Sequence, residues 1–365
     1  MEVKSPTFSR LDKAQFFKTL NKRVNDYFKE KNIEKTGNWK LHLKTIIMFT
    51  LFFVPFFVIF FVKVPTLVYV LASIVIGIGM AGVGMNVMHD GNHGSYSSKT
   101  WLNKIMGGSI YILAGNVYNW QVQHNVLHHT YTNIPGHDED LDAGRVIRFT
   151  KEATWYKFHA FQHYYSIFLY GLLTINWCLT TDFKQMGGYL KRKLSYGSAP
   201  NPTNLWTGLV ISKIVYFGFW IVLPLLFSVA SWWVILLGFF AMHYTAGMIL
   251  SVVFQLAHIT EDTINPHPND DNEIENTWAI HQLLTTVNFA PKNCIVNWYT
   301  GGLNHQVEHH LFPNISHIHY GKIAEFVKQT AAECDLPYFE YQTMRSAVVA
   351  HFKHLKDLGQ KPQLA

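Results

Sequence analysis

Charged residues are scarce in this chain. Asp, Glu, Lys and Arg make up 15% of its 365 residues, where a soluble domain usually carries about a quarter. With 49% hydrophobic residues and a mean hydropathy of +0.06, that scarcity implies a membrane-embedded core with polar segments attached. Cysteine is scarcer still. Cys178, Cys294 and Cys334 lie far apart and in no CxxC pattern, which excludes a disulfide framework and a cysteine-based metal site. The opening residues, MEVKSPTFSR, lack a hydrophobic stretch, so no cleavable signal peptide is expected. Nucleic-acid motifs are also missing. The basic residues are scattered rather than striped, so the net charge of +6 does not point to nucleic acid. In a membrane protein such an excess usually sits on the cytoplasmic side, where it can steer an acidic redox partner.

What is present is a set of long uncharged runs. Residues 45–62 and 64–88 carry no charge and are separated by Lys63. Each is long enough to cross a hydrocarbon core about 30 Å thick, and Val64-Pro65 marks a tight turn between them. Residues 214–260 contain no Asp, Glu, Lys or Arg, and Pro224 with residues 227–231 offers a break. The expected spans are therefore about 45–62, 65–88, 207–228 and 232–257, in two hairpins. Lys213 would lie near a span end and snorkel to the interface. The Lys- and Arg-rich first 44 residues place both termini in the cytosol by the positive-inside rule. Two weaker runs, 105–123 and 164–180, are rich in Tyr, Trp and Asn and read as in-plane or re-entrant segments. That reading assumes that the histidine clusters described next share one membrane face. Residues 191–204 read as a loop.

Histidine is abundant, at 20 residues. Eight fall in three clusters: His89 and His93; His124, His128 and His129; and His305, His309 and His310. On a helix, residues i and i+4 share a face and can grip one ion. Adjacent residues diverge by about 100°, so a His-His pair can present one ring to each of two metals. Most lone histidines are surface or satisfied core residues, and His42, His137, His159, His163, His267, His351 and His354 are read so. Clustered imidazoles beside membrane spans are costly without partners. Imidazole suits iron, zinc, copper and nickel. A single zinc takes only three or four protein ligands. Eight candidates therefore argue for two metals and redox chemistry.

At these residues the chain resembles the membrane fatty acid desaturase family, whose boxes are H-x(3–4)-H, H-x(2–3)-H-H and (H/Q)-x(2–3)-H-H. The resemblance spans roughly 45–320, between an N-terminal cytoplasmic segment, 1–44, and a C-terminal helical one, 321–365. The stretch from Trp298 through Gly301, Gly302, Leu303 and Asn304 to His310 and Pro313 is similar to the front-end and linoleoyl-CoA desaturase-like branch, as are Trp278, Gln282, Thr286 and Asn288. The resemblance implies an all-α integral-membrane fold of four transmembrane helices with a cytoplasmic helical cap holding a di-iron site.

The ligand set implied is His89, His93, His124, His128, His129, His305, His309 and His310, with His258 as a ninth ligand from the end of the fourth span. Gln306 is the alternative to His305, which is preferred on donor strength. Asp90 and Glu308, inside the boxes, are expected to support the ligands. Gln255 is expected to contact a bound water. Asp138, Asp140 and Asp142 are candidates for the same support as Asp90 and Glu308, with a solvated loop as the plainer reading of that run, and His243 is read as a packing residue. Trp120, Trp278 and Trp298 are candidates to line an apolar tunnel for the acyl chain, with plain packing as the simpler reading of each.

The activity implied is O2-dependent insertion of a cis double bond into an acyl chain carried by CoA or a lipid. Hydroxylation of a lipid or alkane, which shares the first hydrogen abstraction, stands as the alternative. One departure concerns the electron supply. Many front-end members carry a fused cytochrome b5 domain, yet no HPGG motif occurs here. Electrons are thus expected from a separate ferredoxin or cytochrome b5.

Overall fold

A computed structural model describes residues 5–10, 15–198 and 201–362. The described chain is mostly helical, with two parallel two-stranded pairings, Thr7–Phe8 with Glu273–Ile274 and Asn288–Phe289 with Glu340–Tyr341. Among the described residues four helices are long and apolar enough to cross a membrane: Trp39–Phe61, Thr66–His93, Pro202–Phe227 and Trp232–His258. Two begin earlier than their uncharged runs do. A helical hydrogen-bond ladder does not stop at a charge; it stops where its end is capped. Asn38 caps the first by accepting from the Lys40 backbone N–H at 2.9 Å. Asn201 caps the third ahead of Pro202, whose missing N–H is no loss in a first turn. Within the loop expected over 191–204, residues 199 and 200 lie outside the described residues, and the helix already resumes at Pro202. The second long helix carries the first histidine cluster on its last turns and contains a π-helical turn, Gly84–Met88.

The two weaker apolar runs are broken into short pieces. The first passes through Thr100–Gly107, a 3-10 stretch Gly108–Leu113, Val117–Trp120 and a π-helical stretch Gln121–His128. The second passes through Gln162–Tyr170, Leu173–Asn176 and a π turn, Trp177–Thr181.

The chain divides into two compact units. One comprises residues 37–126 and 167–252. Its first two long helices pack closely because Gly79 has no side chain: a Cβ there would lie 2.6 Å from the Phe52 nitrogen. Such small-residue contacts drive helix association where lipid removes the hydrophobic incentive. Lys213 does not snorkel. It is buried, and its ammonium lies 2.6 Å from Asp182 Oδ2. A lysine near the middle of a 26-residue apolar helix is too far from either end to reach water, so an internal carboxylate takes the place of solvent.

The other unit comprises residues 1–36, 127–166 and 253–365. Its core is seeded by the amphipathic helix Phe16–Lys31, which buries Phe16, Leu20, Val24 and Phe28 at every fourth position. These pack with Leu283, Val307, Leu311, Ile323 and Val327. Each such side chain contributes about 2 kcal/mol by leaving water. The helix is also fastened by Arg23, which donates to Thr330 Oγ1 at 2.9 Å and pairs with Glu333 at 2.6 Å.

Candidate metal centre

In the second of these units three buried imidazoles face one another. His128 comes from the end of the π-helical stretch, His258 from the last residue of the fourth long helix and His310 from the helix Gln306–Leu311. Each offers a ring nitrogen within 4.8 Å of the other two. The ring centroids lie 4.7, 4.9 and 5.0 Å apart.

The outer nitrogens are engaged by protein. His128 Nδ1 is 3.0 Å from Asp138 Oδ2 and 3.3 Å from Asp140. His310 Nδ1 is 2.8 Å from Gln282 Oε1. His258 Nδ1 is 3.4 Å from the Thr285 carbonyl oxygen. A ring that donates from Nδ1 keeps a lone pair on Nε2 for an ion. The Thr132 hydroxyl, which donates to the His128 carbonyl at 2.7 Å, lies 2.9 Å from Gln282 Oε1 and so joins two of the three supports.

The adjacent histidines form a second contact in the same unit. His129 Nε2 and His309 Nε2 are 3.0 Å apart. That is a hydrogen-bond distance, and it leaves both nitrogens on the same side for one ion. The Tyr320 hydroxyl lies 3.2 Å from His309 Nδ1, and Trp278 Nε1 donates to the His129 carbonyl at 3.0 Å. The two pairs thus meet at more than one point, His309 facing His129 by its Nε2 and His310 lying against both His128 and His129.

In the unit of residues 37–126 and 167–252, His89, His93 and His124 also converge within 4.8 Å. His89 Nε2 and His124 Nε2 are 3.2 Å apart. The Trp120 indole lies over the group, 4.4 Å from the His124 ring and 5.7 and 5.5 Å from His89 and His93. Asn92 ties the cluster together: its Oδ1 accepts from Gln121 and its carbonyl from Asn125, both at 3.2 Å. Gly91, between the two histidines, is pressed against a neighbouring backbone; a Cβ there would lie 2.4 Å from the Gly107 nitrogen.

Helical spacing accounts for the first cluster and not for the second. His89 and His93 stay together, as i and i+4 should. His124 and His128 fall into different groups, although both stand on the one π-helical stretch of residues 121–128. His305 joins neither group; its Nδ1 is 3.6 Å from Glu308 Oε2. The Gln306 side chain instead reaches the His258 imidazole, and its Oε1 is buried without a hydrogen-bond partner among the described residues. Gln255 Oε1 is in the same condition.

The acidic residues are distributed differently from expectation. Asp90 is buried, 3.9 Å from His89 Nδ1. Glu308 is fully buried and accepts from Asn288 at 2.7 Å and Tyr338 at 3.0 Å, so it braces the third cluster's helix against its surroundings. Asp138 is no solvated loop residue. It is 3% exposed and accepts from the backbone of Asn133 and Asp140 as well as facing His128. Burial opposes charge on His128, yet Asp138 and Asp140 outweigh it and hold the imidazole above its usual pKa. Burial likewise works against the Asp138 carboxylate, and His128 with the two backbone N–H donors holds it below its usual value. An acidic run ten residues after a His-His pair was the only sequence signal for this support. His243, by contrast, is closed off by Tyr216 OH at 2.8 Å and Thr174 Oγ1 at 3.0 Å.

The fatty acid desaturase family model matches residues 65–342, and the chain belongs to that family. Over 353 residues it is 36% identical to the sn-1 linoleoyl-lipid 6-desaturase of Arthrospira platensis, covering 95% of this chain and 94% of that protein. It is 34% identical to the protein of the same name from Synechocystis, covering 95% and 96%. It is 32% identical to the acyl-lipid (8-3)-desaturase of Physcomitrium patens, covering 96% of this chain and 73% of that one. The chain is thus an acyl desaturase, an oxidoreductase of lipid metabolism. None of these relatives is named as a hydroxylase.

Proposed function

We propose that this chain is an integral-membrane acyl-lipid desaturase that uses two irons, O2 and a separate electron donor to insert a cis double bond. The observation that carries the reading is the pattern of ring nitrogens at His128, His258 and His310. Protein groups engage every Nδ1, and the rings converge in a site closed to solvent. Imidazoles without an ion gain little from such convergence and lose their hydration. A nitrogen-rich donor set fits iron, and the eight imidazoles His89, His93, His124, His128, His129, His258, His309 and His310 exceed what one ion takes.

His128, His258 and His310 would hold one iron and His89, His93 and His124 the other, with His129 and His309 completing the set. Gln306, rather than His305, is the residue of its pair directed to the site. When bound, the irons would supply the chemistry that reduces O2 to two waters, with two electrons from the donor, two protons from solvent and one hydrogen atom from each of two adjacent acyl carbons. The chain's own part is positional. Asp138, Gln282 and Thr285 orient the rings, and Gln255 holds a water. Asp90 supports His89, and burial excludes bulk water.

The relatives are named for acyl chains on lipids, which supports a glycerolipid substrate over a CoA thioester. The four apolar helices form two membrane hairpins. Both termini and the histidine-bearing cap lie on the cytoplasmic side, in keeping with the basic first segment. An acidic ferredoxin or cytochrome b5 would dock there.

Expression in cells of defined lipid composition, followed by gas chromatography of fatty acids from each lipid class, tests this. A new double bond in a lipid-bound chain, two irons per chain, and loss of both in His310→Ala are expected. Zinc in place of iron, or product that persists in His310→Ala, would overturn the proposal.

A further inference from the structure

A lysine–carboxylate pair lies inside the unit of residues 37–126 and 167–252, outside the histidine groups. Lys213, near the midpoint of the Pro202–Phe227 helix, reaches Asp182 Oδ2 at 2.6 Å and also donates to the Ala114 carbonyl. Asp182 in turn accepts from Asn119 Nδ2 through its carbonyl at 2.8 Å and its Oδ1 at 3.1 Å. The pair thus grips both ends of the segment 114–119. One further bond fastens the same stretch and another the turn after it: Tyr118 OH donates to the Leu194 carbonyl at 2.7 Å, and Gln185 donates to Gln123 at 2.8 Å. The residue after Asn119 is Trp120, whose indole covers His89, His93 and His124.

An isolated bracing role would not need charge. A buried ion pair is often no more stable than apolar residues of the same size, and ionisable groups inside apolar spans are expensive and functional by default. We propose that Asp182 and Lys213 are positioning residues for desaturation. They set the register of the 114–120 segment, and so of Trp120 and His124, against His89 and His93. The proposal rests on the reading that these imidazoles hold iron.

The test compares wild type with Lys213→Met and with Lys213→Met/Asp182→Asn, which removes both charges while leaving an acceptor for Asn119. If the single variant fails to fold because a lone buried carboxylate remains, the double variant carries the test. Iron-57-loaded protein is measured by Mössbauer spectroscopy, alongside kcat, KM and melting temperature. Restoration of the acceptor alone should not restore the register. The double variant is therefore expected to fold and bind iron, with altered quadrupole splitting of one iron site, kcat lowered at least tenfold and KM within twofold. An unchanged spectrum and kcat, with only a lowered melting temperature, would make the pair a plain brace and overturn the proposal. Wild type without iron would instead defeat the reading of the metal centre itself, so the two failures are distinguishable.

Discussion

His243 and His258 stand on one helix, both buried, and differ in what surrounds their rings. His243 spends both nitrogens on protein partners, Tyr216 and Thr174. His258 engages one nitrogen with Thr285 and turns its ring toward His128 and His310. Burial alone therefore does not mark a ligand. The mark is an imidazole anchored on one side and left with a lone pair among other imidazoles.

The sharpest way to break this contrast is to exchange the two fates. His258→Ala should lower bound iron and desaturation by at least about a hundredfold, read by metal analysis and product chromatography. Asp138→Asn comes next. It leaves the shape intact but weakens the support of His128, and a loss of about 10- to 100-fold in iron affinity is expected, measured by competition with a chelator. Gln306→Leu should cost about tenfold in the same assay, the low end for a lost supporting contact, while His305→Ala costs less than threefold. The reverse order would return His305 to the ligand set. The smallest functional effect belongs to His243→Gln. Activity and iron should stay within twofold of wild type, while the lost hydrogen bond lowers stability by about 1 kcal/mol, read as a drop in melting temperature. Loss of iron in that variant would dissolve the distinction between the two residues.

Much of this was legible from the chain. Uncharged runs of eighteen or more residues announce helices long and apolar enough to cross a membrane, and three clusters of histidine announce imidazoles that converge in groups able to hold a metal. The helix ends were less legible, because Trp39 and Lys44 continue a ladder that charge counting stops. The grouping of the rings was hidden for a different reason. Which ring faces which depends on how the short helices that carry them pack, and the π-helical turns at 84–88 and 121–128 leave no residue signature. Asp138 and the Asp182–Lys213 pair were hidden because their value depends on partners that only tertiary packing supplies. A DxDxD run reads as solvent-facing until Asn133 and His128 enclose it.

The helix Phe16–Lys31 has a consequence for how the molecule is made. It leaves the ribosome well before the residues that cover its apolar face, which include Ile323, Val327 and Ala331. Arg23 meets Glu333 across 310 positions of sequence. Closure of contacts so distant is slow, so this greasy stripe stays uncovered until those residues have been made. The unit that carries His309 and His310 can mature only as a late event, and early arrest of synthesis leaves an adhesive helix without its cover.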